Sequence, residues 1–364
     1  MNCKSLILAA VLLPALWSCR RQGGYTQIGG YAQGGTWSVK YNTMGVKARP
    51  GEVQAGVESI LQDIDRTLSG YNKNSELSRL NAGDTIKPSG MLIRMYDRCH
   101  ELWVETGGAF DAAAGPLFDI WGFGFRNGSN PSEEQIAAAI SVSGMGRLVP
   151  RMEDALLPDG RLCASRLLAN GGSLETVPAE GLPQLNFNAV AQGYSCDTVA
   201  SYLSNLGVKD MLVDIGEIIC RGEGPSGKPW RIGVDRPSDG NNTPGEDIDG
   251  IWESAGTARE EDGCGMPFQG IVTSGNYRKF YIVDGVKYAH TIDPRTGKPA
   301  RNSLLSATIV APTAWLADAM ATYCMVIGLE KAKEYIQGNP QLEGYLIYSS
   351  PGDGSMAEWR SDGF

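Results

Sequence analysis

Apolar residues recur at helical spacing in several separate windows of the chain. Val53, Val57, Ile60, Leu61, Ile64 and Leu68 form one stripe and predict a helix over about 51–68. Met91, Leu92, Met95, Cys99, Leu102 and Trp103 predict a second over about 89–106. Asn130-Pro-Ser-Glu133 predicts the start of a third, with Asn130 as cap, Pro at the first helical position and Glu133 three residues past the cap. A fourth spans about 192–206 and stops at Gly207, and a short one covers 329–337. Between these windows the pattern turns to β. Thr36–Tyr41 alternates as a first strand, and Met211–Ile215, Trp230–Val234 and Tyr345–Tyr348 are short β-like runs. Arg278–Val283 and Val286–His290 flank Asp284-Gly285, a favoured hairpin turn, so the hairpin delivers His290 to the mouth of the sheet. Residues 146–184 read as short strands and turns, and 235–265 as a long, acidic, Gly-rich surface loop.

One stretch couples the two patterns. Leu304–Val310 is rich in β-branched residues and reads as a buried strand, and Ala311-Pro-Thr313 punctuates it. Thr313 is placed to cap a helix that runs to about Ile327, with Gly328 as its stop. On that helix Asp318 and Thr322 stand four residues apart, so a carboxylate and a hydroxyl leave the same face. Such a pair suits a hard cation like Mg²⁺, and alone it is equally what an ordinary helix surface carries. Strands interspersed with helices, and no internal repeat or heptad array, give an α+β fold with a mixed β-sheet core and flanking helices.

Composition narrows the class. The chain has 364 residues, 42% apolar and 20% charged, enough for a large core in one or two closely packed domains. A net charge of −9 and a pI near 5.0 argue against nucleic acid, for which a basic face is expected. Lys4 followed by the apolar run Leu6–Leu16 reads as a targeting segment, removed at residue 18. Leu16-Trp-Ser-Cys19 resembles a bacterial lipobox, which makes Cys19 the acylated first residue of the mature chain; the competing reading is an ordinary cleaved signal with an incidental cysteine. Residues 19–30 then form a flexible tether and 31–364 the folded domain, an envelope protein held by a lipid anchor and facing the periplasm. Of the remaining cysteines, Cys99, Cys163, Cys196, Cys220, Cys264 and Cys324, no two have C-x-x-C spacing, so neither a zinc site nor a redox motif is indicated. Cys99, Cys196 and Cys324 lie in helical apolar patterns, as buried free thiols do.

Five fragments, in order, carry a resemblance. They are Ser69-Gly-Tyr71 with Ser75–Asn81; Gly108-Ala-Phe-Asp111 running into Gly115-Pro and Trp121–Gly124; Asn188-Ala-Val-Ala-Gln-Gly-Tyr194; Thr273-Ser-Gly-Asn-Tyr277; and His290-Thr-Ile-Asp-Pro-Arg-Thr-Gly297 with Ala317–Thr322. Together they resemble the ApbE family, flavin transferases that move FMN from FAD onto a protein threonine or serine. The resemblance implies an ApbE-like, T-fold-like architecture and a Mg²⁺-dependent attack of an acceptor hydroxyl on the FMN phosphorus, with AMP leaving. It implies acceptors among exported, flavin-carrying subunits of membrane redox complexes.

Residue by residue, the resemblance places Mg²⁺ on Asp318, Thr322 and the backbone carbonyl of Ala189. It places FAD against Tyr71, Ala109, Phe110, Asp111, Asn186, Gln192, Ser274, Gly275 and Ile292. Tyr71 offers a ring to stack on a heterocycle, or is a half-buried loop tyrosine. His290, one of two histidines, is the candidate general base, the competing role being a flavin or phosphate contact; His100, inside a helical pattern, is structural. Arg295 is read either as a phosphate contact or as a solvated turn residue. No G-x-G-x-x-G follows the first strand, which excludes a Rossmann site.

The chain departs from the family pattern in three places. Asn186 and Gln192 stand where Asp and Lys are usual, Gln33 replaces a methionine common in the first strand region, and alanines fill the Pro-Thr-Val type of segment after Asp111. The missing charges bear on turnover more than on fold. Two rival functions use the same site: Mg²⁺-dependent hydrolysis of FAD to FMN and AMP, and a non-catalytic FAD-binding lipoprotein.

Overall fold

The computed structural model describes residues 24–124, 130–169, 181–182, 184–238, 241, 245–256, 267–277, 280–283 and 286–364. The targeting segment, Cys19, Cys264 and the Asp284-Gly285 turn lie outside the described residues. The chain opens with the hairpin β1 (Tyr25–Ala32) and β2 (Gly35–Asn42), then α1 (Pro50–Leu68), α2 (Glu76–Asn81), α3 (Gly90–Glu105), α4 (Gly115–Ile120) and α5 (Glu133–Val142). Short 3-10 turns lead to α6 (Ala191–Asn205), followed by β3 (Met211–Asp214), β4 (Ile218–Arg221), β5 (Arg231–Asp235), β6 (Ile248–Glu253) and β7 (Gln269–Gly275). Then come β8 (Phe280–Val283), β9 (Val286–Ala289), β10 (Ile292–Asp293), β11 (Lys298–Pro299), β12 (Leu304–Ala311), α7 (Ala314–Ile327), α8 (Leu329–Gly338), β13 (Glu343–Ser349) and β14 (Met356–Arg360).

Among the described residues, eight strands form one sheet in the order β1-β2-β3-β4-β7-β12-β13-β14, and three two-stranded ribbons pair β5 with β6, β8 with β9 and β10 with β11. The α+β class is as expected, with pairing more uniform than a mixed sheet implies: every neighbour in the large sheet runs antiparallel. The connections account for this. A single crossover helix returns a chain to a parallel strand, whereas β12 and β13 are joined through two helices, α7 and α8. α7 and the edge of α3 share the largest core with β12 and β13, through Met320, Cys324, Ile309, Leu346, Met95 and Cys99. α1 and α6 share a second core with the hairpin and β3, through Val57, Leu61, Val199, Leu203, Val39 and Val213.

Three expectations are corrected. β1 begins at Tyr25, inside the segment read as a tether, because its two glycines fit under a tryptophan rather than loosening the chain: a β-carbon at Gly30 would lie 2.9 Å from Trp37 Nε1. β6 lies within the segment read as a long loop, where Trp252 is fully buried and faces Ile232 across the β5–β6 ribbon. α5 is capped by Ser132, not Asn130; the Ser132 hydroxyl accepts from the Gln135 N–H while the Gln135 side chain accepts from the Ser132 N–H, and Asn130 sits at φ 50° outside the helix. The thiols of Cys99, Cys163, Cys196, Cys220 and Cys324 are all free, and Cys99, Cys196 and Cys324 are buried as expected.

Candidate functional site

The site is built where the N-terminal ends of two helices meet. α7 starts at Thr313, whose hydroxyl accepts from the Leu316 N–H at 3.1 Å, and it ends at Gly328 with φ 80°, both as the sequence indicates. Asp318 lies one turn in and is 5% exposed. Its Oδ2 accepts from the Gly193 N–H of α6 at 3.1 Å. Burial pushes the carboxyl well above its usual range, the Gly193 bond opposes the shift, and the negative charge of Asp197 adds to it. Thr322, a further turn along, is half-buried, with its hydroxyl 3.5 Å from the Ser274 hydroxyl of β7. Two expected site residues from distant segments, Ser274 and Thr322, are thus brought together. Ala189 stands in the turn that leads into α6, two residues before the helix begins.

A carboxylate, a hydroxyl and a turn carbonyl are all hard oxygen donors, the set a small divalent cation takes. Among the described residues no group of three His, Cys, Asp or Glu side chains converges as a metal cluster. This is the donor set that Mg²⁺ shares with substrate phosphates and water, not the cage of an all-protein metal site. The buried, desolvated Asp318 supplies the second half of the test, because a carboxylate with a raised proton affinity is one that a cation would relieve. The residues present fit the ion.

The remaining expected contacts surround this point unevenly. Asn186 bonds through its N–H to the Ala112 carbonyl at 2.7 Å, tying the 186–189 segment to the 109–112 segment. Its side chain accepts from the Asn188 N–H at 2.9 Å. Asn188 donates to the Tyr71 hydroxyl at 3.4 Å, so Tyr71, 66% exposed, stands over the same segment. Gln192 reaches across to Gly216, where a β-carbon would lie 2.5 Å from its Nε2 and where φ is 87°. Gly275 packs under Tyr277, whose Cε1 would lie 2.5 Å from an added β-carbon.

Other candidates have inward tasks. Ala109 and Phe110 are buried, and the Asp111 carboxylate accepts from the Ala113 N–H at 2.8 Å and the Met145 N–H at 3.1 Å. Burial raises Asp111 to about 6 against those bonds. Ile292 is 2% exposed and packs with Ala114, Leu117, Trp121 and Ile136, which leaves its backbone rather than its side chain for a ligand. Arg295 is held in a two-pronged ion pair with Asp293, both bonds at 2.9 Å, which agrees with a solvated turn residue rather than a phosphate clamp. His100 is buried on α3, and desolvation lowers its pKa, as befits a structural imidazole.

His290 follows β9 and is half-buried. Its ring stands edge-on to Phe123 at 6.3 Å, and Phe123 stacks on Tyr281 at 5.3 Å. The turn that follows is pinned from below, where Trp121 Nε1 donates to the Gly297 carbonyl at 2.7 Å. Gly297 adopts φ 68°, and a β-carbon there would meet Ile136 and Ile140 at about 3 Å. The aromatic wall and the turn therefore share one small core, and His290 sits on its rim.

Residues 33–346 match the model of the ApbE family. The chain belongs to the ApbE family. It is 30% identical over 353 residues to the FAD:protein FMN transferase of Haemophilus influenzae, covering 94% of this chain and 91% of that protein. It is 31% identical over 348 residues to the protein of the same name from Escherichia coli, covering 93% and 88%. Among solved structures it resembles the flavin transferase ApbE of Vibrio cholerae with a TM-score of 0.72 and 27% identity, covering 94% of this chain and 98% of that one. The apo flavinyl transferase ApbE of Pseudomonas stutzeri gives a TM-score of 0.74 at 29% identity, covering 94% and 96%.

Within this ApbE fold, sequence reasoning missed Gly193 and Asp197, the two α6 residues that grip α7. It also missed the task of Gln33, which turns the β1–β2 hairpin at φ 52° and donates to the Ser195 hydroxyl of α6 at 2.6 Å. The available signal was a glycine inside a predicted helix with an aspartate four residues on, which marks close approach of another chain segment.

Proposed function

We propose that this protein is a Mg²⁺-dependent FAD:protein FMN transferase, joining FMN through a phosphoester to a threonine or serine of an exported redox subunit. The observation that carries the reading is Asp318, a buried carboxylate bonded to the head of α6 and one helical turn from the Thr322 hydroxyl, in a chain whose relatives bear that activity's name. Asp318, Thr322 and the Ala189 carbonyl would hold the ion. When bound, Mg²⁺ supplies charge neutralisation at the pyrophosphate and at the phosphate that leaves with AMP.

The protein's own groups do the rest. The acceptor oxygen forms a bond to the FMN phosphorus as the bond to the AMP oxygen breaks, and the acceptor proton passes to His290 Nδ1 or Nε2. Tyr71 supports the flavin by stacking, and the segment 186–189 with the 109–112 segment lines the cofactor through backbone groups. The Phe123–Tyr281 pair gives one side of the His290 imidazole an apolar wall. Cys19 as a lipid anchor, facing the periplasm, keeps the enzyme beside membrane-bound acceptors; among the described residues no helix is long and apolar enough to cross a membrane.

The test is AMP release from FAD and Mg²⁺, with and without an acceptor flavoprotein subunit. Release that requires the acceptor, with flavin becoming covalent on it, is the expected result. Release without acceptor makes the protein a pyrophosphatase, and flavin binding with no release makes it a carrier.

A further inference from the structure

α6 and α7 are joined at two rungs. Gly193 on α6 faces Asp318 on α7, and Asp197 on α6 faces Ala314 and Trp315, so a spacing of four on one helix meets a spacing of four on the other in the opposite sense. The second rung is a carboxylate bound to a foreign helix. Asp197 Oδ1 accepts from the Ala314 N–H at 2.8 Å and Oδ2 from the Trp315 N–H at 3.0 Å. Those are the first N–H groups of α7, which have no partner within the helix and carry its positive end. The hydroxyl of the local cap, Thr313, accepts from the next amide, the Leu316 N–H.

The surroundings leave α7 little room to sit elsewhere. A β-carbon at Gly193 would overlap the Ala314 carbonyl and lie 2.9 Å from Trp315 Cα, and one at Gly270 of β7 would lie 2.5 Å from Ala314 Cα. Ala314 is therefore pressed between two glycines, and Asp197 draws it there. From α3, the Arg98 guanidinium covers the Trp315 ring at 3.8 Å and offsets part of the Asp197 charge.

We infer that Asp197 is the positioning residue of the cation site: by docking the first turn of α7 on α6 it fixes Asp318 against the head of α6, and so sets the affinity of that site for a divalent cation. The inference rests on reading Asp318 as a cation ligand. The alternative is that Asp197 is a stabilising cap and nothing more.

Thr313→Ala separates the two, since it costs α7 a cap bond without touching α6. Calorimetric titration of the full chain with Mg²⁺ alone is expected to show Asp197→Ala binding about 10–100-fold more weakly than the native protein, the usual cost of losing a group that holds a ligand in place. Asp197→Asn, which keeps one accepting oxygen, falls between, and Thr313→Ala binds as the native protein does. Native affinity in Asp197→Ala, or an equal loss in Thr313→Ala, overturns the inference. Should Asp197→Ala not fold, Asp197→Asn carries the same comparison. Should the native protein take up no Mg²⁺ either alone or with FAD present, the cation reading fails, and hydrogen exchange at the Gly193 amide decides the positioning role separately. Faster exchange in the Asp197 variant than in Thr313→Ala supports it, and equal exchange overturns it.

Discussion

Gly193 and Ala314 meet backbone to backbone, with no side chain between the two helices at that point. In an isolated helix, alanine in place of glycine is favourable by roughly 0.5–1 kcal/mol. Here the added carbon meets main-chain atoms of α7 that Asp197 and Gly270 hold from both sides. Overpacking of that kind costs about 1–3 kcal/mol, so the clash outweighs the helix gain. Gly193→Ala is expected to lower the thermal midpoint and to weaken Mg²⁺-dependent turnover, because any relief moves α7 away from α6. An unchanged or higher midpoint, read by circular dichroism, would show that the contact yields.

Asp318→Asn removes the one anionic ligand of the proposed site while keeping an oxygen that can accept from the Gly193 N–H. Turnover is expected to fall by more than about 100-fold, beyond what loss of a supporting group costs. Stability without Mg²⁺ at neutral pH should hold or rise, since a desolvated carboxylate is replaced by a neutral amide of the same shape. Chemical denaturation and an AMP-release assay on the same preparation check both halves. Retained turnover places the cation elsewhere.

Much of this arrangement was legible in the sequence, and the reasons differ by residue. Helices α1 and α3 fall within a residue or so of their apolar stripes, because each buries one face. Helices α6 and α7 fall within a residue or so of bounds read from Gly207 and from Thr313 and Gly328, α7 being buried on nearly all sides. Asp318 and Thr322 were visible through their spacing on such a helix. β1 and β6 were not, since glycine and polar residues read as linker when the residue they pack on, Trp37 or the β5 strand, is not adjacent in sequence. The clamp by Asp197 was hidden for the same reason: its partners lie 117 and 118 positions away, and local patterns carry no such distance.

Burial holds Asp111 at about 6, above its ordinary 3.8. A raised carboxylate pKa means that the folded chain holds its proton more tightly than the unfolded chain. Between the two values the folded state binds more protons, so this group's contribution to stability falls as pH rises from about 3.8 to about 6 and is level above that range. Asp111→Asn removes the titration and keeps an oxygen for the Ala113 and Met145 amides. The stability difference between native and variant, measured by urea denaturation across that window, is expected to shift in favour of the variant as pH rises. A difference that does not change with pH would mean that Asp111 titrates alike in both states.

His290 separates a base from a binder. It stands on the rim of the Phe123–Tyr281 wall, at the start of a turn held by the Trp121–Gly297 bond, so its removal leaves the wall and turn in place. If the imidazole takes the acceptor proton, His290→Ala lowers kcat by roughly 10²–10⁴, the range of general base catalysis. FAD affinity should then change by less than about tenfold, or ~1.4 kcal/mol, because the imidazole meets the attacking oxygen rather than the cofactor. Native turnover should also rise with pH as an imidazole base loses its proton, and the variant should lose that step. A histidine that only held phosphate gives the reverse: weaker FAD binding with saturated turnover preserved. Flavin fluorescence titration and saturated turnover on one His290→Ala sample distinguish the two, and weak binding with near-native kcat would remove the general base from the mechanism.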